Sequence, residues 1–123
     1  MKKLLALAAA AEAATGLLSI AAPSLVARLL LNAELSGAGL AFGRVCGIGL
    51  LSLGAACWPS PAPARAASLA MLLYNSLSAL HLAILGAGGE SAGPLLWPAA
   101  LFHAVMTILL ARAWLQKRSF EVK

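Results

Sequence analysis

The sequence predicts an all-α membrane fold: a transmembrane up-down four-helix bundle with a short interfacial helix after the first span. Three observations predict it. Of 123 residues, 62% are hydrophobic and only 11% charged, where a soluble domain carries about 25% charged residues. The apolar residues gather into four runs, each near the ~20 residues that a bilayer core demands. The basic residues flank those runs and form no face of their own. One integral membrane domain over 1–123 is expected, because four spans leave nothing over for a soluble module.

The first span is expected at 4–22. Pro23 ends it, since the residue before a proline is pushed out of helical geometry. Lys2, Lys3 and the Ala11-Glu12-Ala13 triplet imitate a cleavable secretory signal, but the apolar pattern continues past Ala13 to Ala22, so a retained span is expected. Residues 24–32 are amphipathic, with Leu25, Val26, Leu29 and Leu30 on one side and Arg28 on the other. A segment this short cannot cross, so it is read as a helix lying on the outer leaflet.

The second span is expected at 39–58, closed by a stiff connection containing Pro59, Pro61 and Pro63. The third, 66–86, is followed by a glycine-rich connection to Gly93, expected to be flexible and without a hydrophobic anchor. The fourth is expected at 95–114. Trp58 and Trp114 mark one interface and Trp97 the other.

Orientation follows from the basic residues. With both termini inside, the cytoplasmic side holds Lys2, Lys3, Arg65, Arg112, Lys117, Arg118 and Lys123, and the outer side only Arg28. That asymmetry predicts a multi-pass membrane protein with both termini cytoplasmic. Net charge is +5, yet no basic face is interleaved with aromatics, so the lipid bilayer and no nucleic acid is the expected partner. A homo-oligomer or a membrane partner protein stays open. Cys46 and Cys57, if helical, stand about 16 Å apart along the axis and cannot bridge each other.

The few polar residues within the runs fall into layers. Counted at ~1.5 Å per residue, Glu12, Asn75 and His103 lie near the midplane, and Arg44 and His81 lie higher, about 7–8 Å below the outer surface. Each belongs to a stripe: Glu12 with Gly16 and Ser19, Tyr74 with Ser78 and His81, His103 with Thr107. In hydrocarbon such faces turn inward, so one buried polar seam is expected. On the second span Gly39, Gly43 and Gly47 form a ridge that lets helix backbones touch, within the subunit in preference to a dimer contact.

Two readings of Glu12 and Arg44 follow. The plainer is a structural ion pair holding the first two spans in register; the other is a binding couple for an anionic or carbonyl-bearing ligand, or a proton-relay site. Tyr74 is expected to join Glu12 or His103 in a network, a position that a quinone or sterol could also contact. Haem is disfavoured, because His81 and His103 lie a turn apart in depth and no Cys-x-x-Cys-His exists. No metal-ligand cluster, no nucleophile with its base and no phosphate loop is legible, so neither a catalytic residue nor a metal site is assigned.

Glu12-x-x-x-Gly16, Pro23, Arg44-x-x-Gly47, Tyr74-Asn75 and His103, in that order, resemble the small four-span bacterial membrane proteins grouped as DoxX-like. The resemblance implies the architecture. Together with it comes an expected location in the bacterial cytoplasmic (inner) membrane. Some members of that group are membrane subunits working with quinone or sulfur-linked oxidoreductases, but this chain lacks the paired cysteines of a thiol-redox member, so the resemblance implies architecture more than activity. The expected function is therefore non-enzymatic: the seam binds a small lipophilic or anionic ligand or docks a membrane partner. A quinone-linked oxidoreductase subunit is the alternative, and an oligomeric proton or small-solute conductor a third.

Overall fold

The computed structural model describes residues 1–59, 65–89 and 92–121, with side chains as far as Gln116. Pro61, Pro63 and Glu90 lie outside the described residues, as do the side chains of Lys117, Arg118 and Lys123. The described chain forms five helices and no strand: α1 (Lys2–Ala21), α2 (Pro23–Leu31), α3 (Ala38–Ala56), α4 (Arg65–Gly88) and α5 (Leu96–Glu121). Four of them, α1, α3, α4 and the Leu96–Gln116 part of α5, are long and apolar enough to cross a membrane.

Local chemistry sets the boundaries. α1 is built mainly from Ala and Leu, the strongest helix formers. Ala22 leaves helical geometry ahead of Pro23, and Pro23 then occupies the first turn of α2, where its missing N–H is no loss. One proline thus ends one helix and opens the next. Asn32 takes a left-handed conformation (φ 51°) that turns the chain out of α2. Pro98 sits in the first turn of α5, again where no helical hydrogen bond is lost.

The long helices associate in two pairs, α1 with α3 and α4 with α5, and α1 joins the pairs. Glycines govern the first pairing. A Cβ on Gly47 would stand 2.7 Å from the Gly16 carbonyl oxygen, and one on Gly54 would stand 2.7 Å from that of Ala9. Backbone therefore lies against backbone, the contact that holds helices together where lipid offers no hydrophobic drive. The ridge differs from the expected Gly39–Gly43–Gly47. Gly43 abuts the Pro23 ring and Gly39 meets only the Leu35 side chain. The contact runs toward Gly54 because α1, its partner, ends at Ala21.

The end that gathers the start of α1 and the end of α5 is packed solid by Leu5, Ala8, Ala9, Cys57, Met71, Met106 and Leu110. Cys46 and Cys57 are both free. Beside this core the Arg65 guanidinium lies over the Trp114 ring, 5.4 Å from its centroid. Outward-facing Phe42, Val45, Ile48, Leu77, Ile84, Leu101 and Ile108 form an apolar coat, larger than water tolerates on a monomer.

At the opposite end the connection between α4 and α5 is pinned. Gly93 N–H donates to the Leu30 carbonyl (3.0 Å) and Leu95 N–H to that of Leu29 (2.9 Å). These carbonyls belong to the last turn of α2, which has no helical partners for them. Gly93 is buried, and any Cβ there would fall on the Leu29 carbonyl. The end of the connection is therefore anchored by backbone hydrogen bonding, which the expected lack of a hydrophobic anchor does not register. Nearby, Arg28 pairs with Glu34 on the exposed surface.

Candidate functional site

Between the packed core and α2 the helices part to leave a cavity of about 490 Å³. Its walls are Leu18 from α1, Val26, Leu29 and Leu30 from α2, Leu50 from α3, Leu82 from α4, and Leu95, Ala99 and Phe102 at the start of α5. α2 lies over it as a partial roof, and the cavity stays partly open. The polar part of the lining, the floor, comes from Glu12, Thr15, Tyr74, Ser78 and His103, and the exposed His81 also lines the cavity.

The floor assembles because each helix turns one polar stripe toward the others. Glu12 stands one turn before Gly16, and the close α1–α3 contact at Gly16 covers the α3 side of α1. Glu12 is 2% exposed and Asn75 fully buried. On α4, Asn75 Nδ2 donates back to the Met71 carbonyl at 2.8 Å, and its Oδ1 lies 2.9 Å from His103 Nδ1 on α5. A carbonyl only accepts, so the Met71 bond fixes which end of the amide is NH₂. The other end is then an acceptor, and His103 must present Nδ1–H to it. That bond leaves Nε2 as the second functional nitrogen of the ring.

Two aromatic edges hold the imidazole in place, Tyr74 at 5.6 Å and Phe102 at 5.5 Å between centroids, both near perpendicular. Tyr74 and Ser78 stand one helical turn apart on α4, and both line the cavity together with Glu12. Glu12 Oε1 lies 3.9 Å from His103 Nδ1, too far for a hydrogen bond. Among the described residues it is the buried side-chain polar atom left without a partner. Such an atom is expensive to maintain in an apolar surround.

Glu12, Tyr74, Asn75, Ser78 and His103 are thus brought together. Arg44 is not. It is exposed on α3, and the expected pairing with Glu12 does not form. The α1–α3 register explains why. Gly54 faces Ala9 and Ala13, and Gly47 faces Gly16 and Ile20, so Arg44 lies beyond the level of Ile20. That is about 12 Å along the axis from Glu12. α3 packs chiefly on α1, so only one stripe of it is covered and Arg44 lies off that stripe. No three of His, Cys, Asp and Glu gather among the described residues.

The α2 residues of the roof and the Met71 carbonyl escape sequence reasoning. α2 reads as a leaflet helix whose apolar side meets lipid, and only its tether to Gly93 and Leu95 shows that Val26, Leu29 and Leu30 turn inward. Thr107 bonds its own helix at the His103 carbonyl (2.8 Å) and adds nothing to the floor. No protein-family profile matches the chain, and neither a curated protein nor a solved structure matches it.

Proposed function

We propose that this chain is a multi-pass membrane protein that binds a small lipophilic molecule in the cavity beneath α2. In this reading the four long helices run up and down across a bacterial inner membrane. α2 lies at the outer interface, and both termini are cytoplasmic. The charge distribution supports the orientation: Lys2, Lys3, Arg65 and Arg112 belong to the end opposite α2, while Arg28 on α2 pairs with Glu34.

One observation carries the proposal: a cavity with mostly apolar walls is lined by Glu12, a buried carboxyl whose Oε1 has no partner among the described residues. Its volume lies within the range of small-molecule sites, about 300–1,000 Å³. The position of Arg44 outside the floor supports a lipophilic ligand over an anionic one. The packed layer of Leu5, Met71 and Met106 at the other end supports binding over conduction.

Native mass spectrometry of the protein in lipid nanodiscs tests this against Ala99→Phe, which fills the chamber from its wall. A small-molecule adduct on the natural protein, lost in the variant at unchanged thermal unfolding temperature, is expected. Retention of the adduct by Ala99→Phe would place the ligand elsewhere and refute the reading.

A further inference from the structure

The cavity has one side that no helix pair seals. α3 and α4 follow each other in the chain and are tied at the core end, where Cys57 Sγ donates to the Ala67 carbonyl at 3.5 Å. Beyond that tie they share no seam: α3 packs on α1 and α2, and α4 on α5 and α1. Leu50 of α3 and Ser78, His81 and Leu82 of α4 nevertheless line the same cavity. His81 is also exposed, so the cavity reaches the surface of the bundle beside it. That opening lies on the flank. His81 precedes the end of α4 at Gly88 by about 10 Å of helix. Leu77, Leu80 and Ile84 around it are exposed, and α4 carries no charge after Arg65. A helix surface of that kind belongs in hydrocarbon. The end of the bundle is covered instead by α2, which Gly93 and Leu95 pin in place.

We infer that the ligand enters laterally, out of the hydrocarbon of the bilayer, through the gap between α3 and α4 at Leu50 and His81. The inference rests on the binding reading above and names the source and route of the ligand for that same cavity. The class such a route admits is a lipophile dissolved in the membrane. It passes the gap without leaving an apolar medium. A solute from water must first carry its polar groups through hydrocarbon, which strips them of hydration. His81 stands at the mouth, so the size of the side chain there sets the width of the passage.

The test sets a thiol behind the mouth, as Ser78→Cys with the exposed Cys46→Ser, on the full chain in phosphatidylcholine nanodiscs. N-dodecylmaleimide dissolved in the bilayer is compared with a charged, water-soluble methanethiosulfonate by intact mass. Leu77→Cys, exposed on the outside of α4, calibrates reactivity from the lipid side. The maleimide is expected to label Ser78→Cys, and the charged reagent to leave it unlabelled. Adding His81→Trp should slow that labelling at least about tenfold, a barrier rise of ~1.4 kcal/mol, and leave Leu77→Cys labelling unchanged. Labelling by the charged reagent as fast as by the maleimide overturns lateral entry while the cavity reading stands. Undiminished labelling in His81→Trp overturns the route past His81. No labelling by either reagent, at Ser78→Cys or at Thr15→Cys on the α1 wall, overturns both readings together. Thr15→Cys carries the same comparison if Ser78→Cys misfolds.

Discussion

Gly47→Ala gives the most direct measure of what holds α1 to α3. The added methyl would stand 2.7 Å from the Gly16 carbonyl oxygen, 2.8 Å from Ile20 N and 2.9 Å from Ser19 Cβ. Ordinary contact begins near 3.4 Å, so the helices must part by about 0.7 Å. A gap of that size forfeits roughly a quarter to a half of each van der Waals contact along the seam. The expected cost is about 1–3 kcal/mol, as for overpacking in a soluble core. Gly54→Ala meets the Ala9 carbonyl at the same 2.7 Å, so a single displacement relieves both clashes. The double variant should therefore cost well under the sum of the two singles, a coupling that a double-mutant cycle resolves. Reversible unfolding in mixed detergent micelles supplies the measurement. Gly49→Ala is the control, because nothing lies within 4 Å of its added methyl. Additive costs, or a Gly49→Ala cost equal to that of Gly47→Ala, would refute the account.

Three further outcomes follow from the same geometry. Asn75→Leu strands His103 Nδ1–H and should cost about 1–3 kcal/mol; nitrogen NMR should show the Nδ1–H tautomer in the natural protein and its loss in the variant. Arg44→Leu should change stability by less than about 0.5 kcal/mol, whereas breaking a buried ion pair would cost about 3–5 kcal/mol, so one unfolding curve decides between them. Gly93→Ala drives a methyl onto the Leu29 carbonyl; it should free the Leu95 amide to hydrogen exchange and speed ligand release in a stopped-flow chase.

The polar floor is legible in the sequence because depth in a membrane helix is linear in residue number and the side facing inward follows from helical spacing. Those two rules suffice to bring Glu12, Tyr74, Asn75, Ser78 and His103 together. Arg44 is misjudged by the same rules. Charge argues for burial, but the inward side of α3 is chosen by where Gly47 and Gly54 meet the α1 backbone, and that register is a property of two helices at once. The Gly39–Gly43–Gly47 spacing is likewise a real pattern whose upper half has no helix to meet, because α1 stops short of it. The roof is invisible for a different reason: it is held by main-chain N–H groups of Gly93 and Leu95, which carry no side-chain signature.

That tether also orders the protein's assembly in time. The carbonyls of Leu29 and Leu30 leave the ribosome more than sixty residues ahead of the amides at Gly93 and Leu95 that bind them. At translation rates of about 5–20 residues per second, the lag is roughly 3–12 s. Throughout that interval the cavity lacks the walls that α4 and α5 supply. The tether of α2 is thus among the last contacts of the cavity to be made.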